Sequence, residues 1–433
     1  MELKRTWLIS ALLLLIFISN VVQIDGRRHG RGRLVGRIFR RRHALGAIAQ
    51  SQTIQRKRIA AFNVKKFGAA ADGKSDDSAA FLKAWETACP LEGRKKIVIP
   101  RGEYLVNPIR FEGPCNGLME VLLSGVVKAQ PDINVFNQQG HKEWITFNHI
   151  DRLLITGAGT FDGQGSYAWQ HNTCSKKKDC SLLPGNLRLN FVARATVRGI
   201  SVVDSKSFQM TIFGSNNVRI HRIKIIAPEE APNTDGIHIG NSTNVRITDS
   251  EIGTGDDCIS VGPGSRQILV SGVSCGPGHG ISIGSLGRYH NEPDVSGVTV
   301  KNCTLTGTTN GLRVKTWQNS ESSRASDFHF ENVVMNGVQN PIIVDQEYCP
   351  VGNCEKGAPS LVEISNVTFQ NIRGTSASRM AVHLFCSKTV NCKNVILQDI
   401  DLKFVDANSP SLAQCYYAQG TATGYMNPPS CFS

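Results

Sequence analysis

Short runs in which apolar and polar residues alternate recur along most of the chain: Arg152-Leu153-Leu154-Ile155, Asn217-Val218-Arg219-Ile220, Asn244-Val245-Arg246-Ile247, Gln267-Ile268-Leu269-Val270 and Gly297-Val298-Thr299-Val300. The series continues as Asp327-Phe328-His329-Phe330, Leu361-Val362-Glu363-Ile364 and Asn394-Val395-Ile396-Leu397. A period of two marks a strand with one buried face. The last residues of the units from Ile220 onward lie 27, 23, 30, 30, 34 and 33 positions apart, separated by Gly, Asn, Ser and Asp. A sandwich or barrel would turn roughly every 8 to 12 residues, and a propeller would need longer, more regular repeats. The pattern therefore predicts an all-β, single-stranded parallel β-helix whose coils vary by loop insertion.

A solenoid must cover its open ends, where apolar core and unpaired backbone meet solvent. The segment 76–89 predicts that cover: Asp76 or Asp77 caps a helix that turns Phe81, Leu82, Trp85 and Ala88 inward and leaves Lys83 and Glu86 outside.

Ahead of this lies a different kind of sequence. Lys4 and Arg5 precede an apolar run, Trp7 to Val22, of 16 residues, short of the roughly 20 needed to span a membrane. It reads as a cleaved secretory signal, assigned to residues 1–24, rather than a signal anchor. An arginine-rich segment follows at 25–58, and the folded domain is expected over 59–433. Residues 1–58 hold 13 basic and 2 acidic side chains, so +11 of the net charge of +13 lies there. The remainder is nearly neutral and carries no nucleic-acid motif, which excludes the partner that a basic pI would suggest. The arginine run reads either as a segment trimmed at its dibasic sites or as a tether to a polyanionic matrix.

Thirteen cysteines in a secreted chain imply an oxidised framework with one thiol left over. Spacing pairs Cys174 with Cys180, Cys349 with Cys354, Cys386 with Cys392, Cys415 with Cys431 and Cys258 with Cys275. Cys89 with Cys115 would fasten the cap, leaving Cys303 free. Sequons at Asn241, Asn302 and Asn366 agree with the secretory route.

Candidate chemistry concentrates in four segments: Asn233-Thr234-Asp235, Gly255-Asp256-Asp257-Cys258, Gly278-His279-Gly280 and Arg313-Val314-Lys315. Asp256 follows Asp235 by 21 residues and His279 follows Asp256 by 23, about one coil each, so these groups share one surface. Three carboxylates, an imidazole and two cations are the parts needed to hydrolyse a glycosidic bond in an anionic sugar polymer. Three clustered aspartates cannot all ionise cheaply, so the group holds one proton and supplies an acid. Arg313 and Lys315, two apart on a strand, project from one face and would grip a substrate carboxylate.

These segments, with Gly159-Thr160-Phe161-Asp162-Gly163-Gln164-Gly165, Ser282-Ile283-Gly284-Ser285-Leu286-Gly287, Asn310-Gly311-Leu312 and Asp345-Gln346-Glu347-Tyr348-Cys349, resemble the polygalacturonases, particularly those of plants, from about Phe62 to Cys431. The resemblance implies a right-handed parallel β-helix that hydrolyses α-1,4 bonds between galacturonic acid units of pectin with inversion, as a secreted cell-wall enzyme. It implies Asp256 as proton donor, Asp235 and Asp257 as the pair that deprotonates the nucleophilic water, and His279 as tuner of the acid. It also implies Asn233, Arg313, Lys315 and Tyr348 as substrate contacts. An inverting hydrolase needs its two carboxyls roughly 6.5–9.5 Å apart to admit water. Gln209 departs from the pattern, standing where many plant relatives have histidine.

Pectic polysaccharide is the expected partner. The protein is expected to be a monomer without stable membrane association once the signal is removed, and nothing calls for a metal or organic cofactor. A hydrolase of xylogalacturonan or rhamnogalacturonan, and a non-catalytic pectin-binding wall protein, are the alternative readings; a lyase would need calcium and a different base.

Overall fold

The computed structural model describes residues 59–138, 142–172, 182–350 and 358–432. The signal and arginine-rich segments lie outside them. Alternation becomes architecture through three ladders of parallel strands. In one coil the strands are Asn216–His221, Lys224–Ile226 and Ile237–Gly240; in the next they are Thr243–Thr248, Glu251–Gly253 and Ile259–Val261. Each pairs in parallel with its counterpart one coil on. The third ladder forms an eleven-stranded sheet of its own, while the first two merge where long strands such as Ser323–Val338 turn the corner.

Inward residues stack in columns. Ile155, Val197, Ile220, Ile247, Val270, Val300, Phe330, Phe369 and Leu397 follow one another in register, each at most 1% exposed. Burial of such side chains stabilises by about 1.5–3 kcal/mol apiece. The residue that opens each unit also has a physical role. Asn217, Asn244, Gln267, Asp327, Asn366 and Asn394 take φ between 53° and 62°, the left-handed corner that Asn and Asp tolerate better than most L residues. Asn394 donates to Asn366 and Asn366 to Asp327, both at 2.9 Å, so the corner is tied from coil to coil.

Two units differ from the sequence expectation. Leu361–Ile364 is not the repeat of Asp327–Phe330: Phe330 pairs with Phe369 and stacks on it at 4.8 Å, making the spacing there 39 and then 28 residues to Leu397. Ile364 instead pairs with Ala325, earlier on the same long strand. A further coil, Ala193–Arg198, lies between Ile155 and Ile220; its small Ala195 in place of valine or isoleucine hid the alternation.

The cap forms as helix Ser78–Ala88, with Phe81, Trp85 and Ala88 buried and Lys83 and Glu86 exposed. The Asp76 carboxylate accepts the Ser78 amide at 3.0 Å. Asp77, at the N-cap position, turns instead to the amides of Ala70 and Ala71. Trp85 packs on Phe111 at 4.8 Å and donates its indole N–H to Glu112 O at 2.9 Å. Trp85→Ala should therefore destabilise the protein by about 3–5 kcal/mol, and a thermal melt unchanged by it would show that the helix does not seal the end. Cys89–Cys115 pins this cap, and Cys258–Cys275, Cys386–Cys392 and Cys415–Cys431 form as expected. Cys303 is the free buried thiol among the described residues, and burial pushes its pKa up to about 11. Cys174, Cys180 and Cys354 lie outside the described residues.

Candidate active site

The third ladder carries the chemistry. Ile237, Ile259 and Ile281 pair in successive coils, and two residues before them stand Asp235, Asp257 and His279. The backbone keeps this register beyond the strands, because Gly236 N–H donates to Asp257 O and Cys258 N–H to Gly280 O, each at 2.8 Å. The column is therefore Asp235, Asp257, His279; Asp256 sits one residue earlier, so it shares the surface without sharing the column. Arg313 follows one coil after Ser282, its ladder partner.

The glycines and the threonine of these motifs have local causes. A Cβ at Gly255 would lie 2.0 Å from Ala231 O, and one at Gly280 2.0 Å from Asn310 O. Gly278 and Gly280 also hold φ of 140° and 85°, which L side chains resist. Thr234 bonds Ala231 O at 2.8 Å and accepts the Gly255 amide at 3.0 Å, so it joins the coil of Asp235 to that of Asp256.

Asp257 is 1% exposed and fully engaged. It takes Ser282 Oγ at 2.8 Å, Arg313 Nη2 at 2.7 Å and Lys315 Nζ at 2.7 Å. Burial pushes its carboxyl up, but Lys315 and Arg313 together outweigh burial and hold it at about 2. Asp235 has no cation bonded to it among the described residues. Burial, then the charges of Asp256 and Asp257, push its carboxyl well above the usual range. Asp256, 19% exposed at the side chain, bonds His279 Nδ1 at 3.0 Å. That hydrogen bond raises the pKa of His279 against its burial.

Arg313 and Lys315 are turned onto Asp257 first. Arg313 also donates Nε to Ser282 at 2.9 Å, and both cations lie over the Tyr348 ring, at 5.9 and 5.2 Å. Arg313 is 9% exposed, so the fork expected to grip a substrate carboxylate serves the site's own aspartate. Asp256, Asp257 and His279 place potential ligand atoms within 4.8 Å of one another, yet Asp257 has both oxygens bonded to cations already. Asn233, at φ 56°, accepts from Asn172 Nδ2 at 3.1 Å. Asn172 follows the short helix Ser166–Trp169, so that segment reaches the edge of the site. Gln209 is fully buried, its Oε1 accepting the Ser205 amide at 3.2 Å; the departure is structural.

Three site residues were missed. His238, Ser260 and Ser282 occupy the middle of the apolar-x-apolar triplets Ile237-His238-Ile239, Ile259-Ser260-Val261 and Ile281-Ser282-Ile283, and the same alternation that exposed the first ladder would have found them. Ser260 donates to Asp235 at 2.7 Å, so His238 Nδ1, 2.8 Å from the same hydroxyl, is the donor to it. Burial first, then Arg188 and Lys315, hold His238 at about 4, and it is neutral at working pH.

Residues 89–425 match the glycosyl hydrolases family 28. A polygalacturonase of Gossypium hirsutum is 44% identical over 368 residues, covering 85% of this chain and 89% of that one. An exopolygalacturonase of Platanus acerifolia is 45% identical over 368 residues, covering 85% and 96%. The structure of a polygalacturonase from Erwinia carotovora superposes with a TM-score of 0.68 at 23% identity, over 86% of this chain and 99% of that one, a likeness of fold. Joined by a match over most of the chain to two plant enzymes and to the family as a whole, the acid-lined β-helix belongs to the glycosyl hydrolases family 28.

Proposed function

We propose that this protein hydrolyses the α-1,4 bonds between galacturonate units of polygalacturonate, with inversion. The observation that carries the reading is the meeting of three carboxylates with an imidazole and two cations: Asp257 bonds both Arg313 and Lys315 at 2.7 Å, and Asp256, its neighbour, bonds His279 at 3.0 Å. Neighbouring carboxyls in different environments, one among cations and one beside an imidazole, are suited to paired acid and base work. Asp257 and Asp235 hold the attacking water between them, and its proton passes to the ionised carboxylate of Asp257 as the water oxygen bonds the anomeric carbon. Asp256, linked to His279, delivers a proton to the leaving oxygen; the imidazolium replaces it through the 3.0 Å hydrogen bond. Tyr348, with whatever donors of Arg313 and Lys315 are not on Asp257, faces the sugar carboxylate.

Release from chain ends is the mode we favour, supported by the exo-acting name of the Platanus relative and by Asn172 lying against Asn233. The enzyme acts as a monomer on pectic polysaccharide in the cell wall, delivered there by the signal at 1–24. The arginine-rich segment at 25–58 is trimmed or tethers it to pectate. Among the described residues no helix is long and apolar enough to cross a membrane.

The test follows reducing ends, product sizes and viscosity together on de-esterified polygalacturonate. Monomer as sole product is the expected outcome. A ladder of oligomers with fast loss of viscosity would mark an internal cutter. No reducing ends from folded protein would remove the activity and transfer the site to xylogalacturonan, rhamnogalacturonan or binding alone.

A further inference from the structure

The outward column of the third ladder runs on past the acids toward the N-terminal coils, through His238, Thr211 and Arg188 in register. At about 4.8 Å per coil, Arg188 lies about 10 Å from the strand of His238. It is a built feature rather than a solvated surface cation. Its Nη1 donates to Glu143 at 2.8 Å, its Nε to Asn190 at 3.3 Å, and its guanidinium lies 5.1 Å from the Phe213 ring centroid. Asn190 is itself tied to Asn148 at 2.7 Å. The remaining nitrogen, Nη2, has no hydrogen-bond partner among the described residues. The side chain keeps 25% exposure, so a fixed cation retains open donors.

The floor between Arg188 and the acids is shaped by glycine. A Cβ at Gly240 would lie 3.3 Å from the Phe213 ring and 3.8 Å from His238 Nε2; one at Gly262 would lie 3.3 Å from His238 Cε1. Phe213 and His238 thus lie down over Gly240 and Gly262, which are both buried, and the two rings share one patch. Beyond Phe213, Phe191 stands at 5.9 Å, 44% exposed, with His149 stacked on it at 5.0 Å. Apolar ring faces beside a fixed cation suit a sugar that carries a carboxylate.

We propose that Arg188, oriented by Glu143 and Asn190, binds the carboxylate of the galacturonate on the N-terminal side of the scissile bond, which lies against Phe213 and His238. The proposal rests on the polygalacturonate reading above. It places the second uronate grip of the groove at Arg188, because Arg313 and Lys315 already hold Asp257. Burial also works against full ionisation of Glu143, pushing its carboxyl up, which leaves the guanidinium charge less completely matched.

The test measures trigalacturonate affinity by calorimetry in an Asp256→Asn background, where no turnover occurs. Arg188→Gln is combined with Glu143→Gln so that no buried carboxylate is left unpaired, and Arg188→Lys is made separately. Losing hydrogen bonds to a charged group should weaken Kd about 10- to 100-fold in the first variant. Arg188→Lys, which cannot reproduce the fork, should fall in between, and KM in the Asp256 enzyme should rise more than kcat falls. Unchanged affinity in either variant overturns the assignment, and Arg188→Lys carries the test should the double replacement fail to fold. If instead the Asp256→Asn protein with Arg188 intact does not bind trigalacturonate and the wild type releases no reducing ends, the functional reading itself has failed.

Discussion

Asp256→Asn is expected to lower the rate on polygalacturonate by about 10²- to 10⁴-fold, the usual contribution of a general acid, while leaving the fold and substrate binding in place. The substitution keeps an oxygen to accept the Asp257 amide, now bonded at 2.8 Å, and a partner for His279. What it removes is the proton. A galacturonide whose leaving group departs without protonation should therefore be cleaved nearly as fast by the variant as by the wild type. Asp235→Asn should show no such rescue, because activation of water is needed whatever the leaving group. This contrast decides which carboxyl acts as the acid, since burial pushes the carboxyl of Asp235 up while Asp256 is the one bonded to His279. Rescue of Asp235→Asn and not of Asp256→Asn would exchange the two roles. The pH profile bears on the same point. His279 titrates above its ordinary 6.5, so the alkaline limb of the rate should lie above that value and move when His279 is replaced by glutamine.

How far the sequence discloses such a site depends on the kind of signal each residue leaves. The first ladder is legible because its core positions are Val, Ile, Leu and Phe at every second residue, introduced mostly by an Asn, Asp or Gly that the left-handed corner favours. Ala193–Arg198 escaped because alanine fills the core without announcing it, and the pairing of Phe330 with Phe369 escaped because a long strand supplies two alternating stretches, only one of which continues the column. The site residues were legible by chemical type, whereas their partnerships were not. Nothing in Arg313-Val314-Lys315 says that both cations turn to Asp257; that follows from Ser282, one coil below, which accepts from Arg313 and donates to the same carboxylate. The phase of Asp256 against Asp257 was hidden for a related reason. Loop length between strands varies from coil to coil, so counting residues locates a coil without locating a position within it. Only the pairing of Ile237, Ile259 and Ile281 fixes which acids share a column.

The same partnership makes Asp257 the residue whose loss should be felt most widely. Asp257→Ala leaves Arg313 and Lys315 side by side, nearly dry and without their anion; breaking a buried pair in this way typically costs about 3–5 kcal/mol. A lowered melting temperature is expected, and with it loss of activity. In the wild type the carboxyl titrates at about 2 against an ordinary 3.8. Because the folded-state value is depressed, its contribution is fully present above 3.8 and is lost as pH falls toward about 2, so the stability gap between wild type and variant should be constant near neutrality and close in strong acid. Adding Lys315→Met to Asp257→Ala removes one of the stranded cations and should restore part of the melting temperature, since an apolar replacement of a buried ion is often tolerated. It should restore none of the activity, because the carboxylate proposed to hold the water is still missing. A double variant no more stable than Asp257→Ala, or a single variant that melts with the wild type, would mean that the cations relax into solvent and that the buried network does not hold this part of the β-helix together.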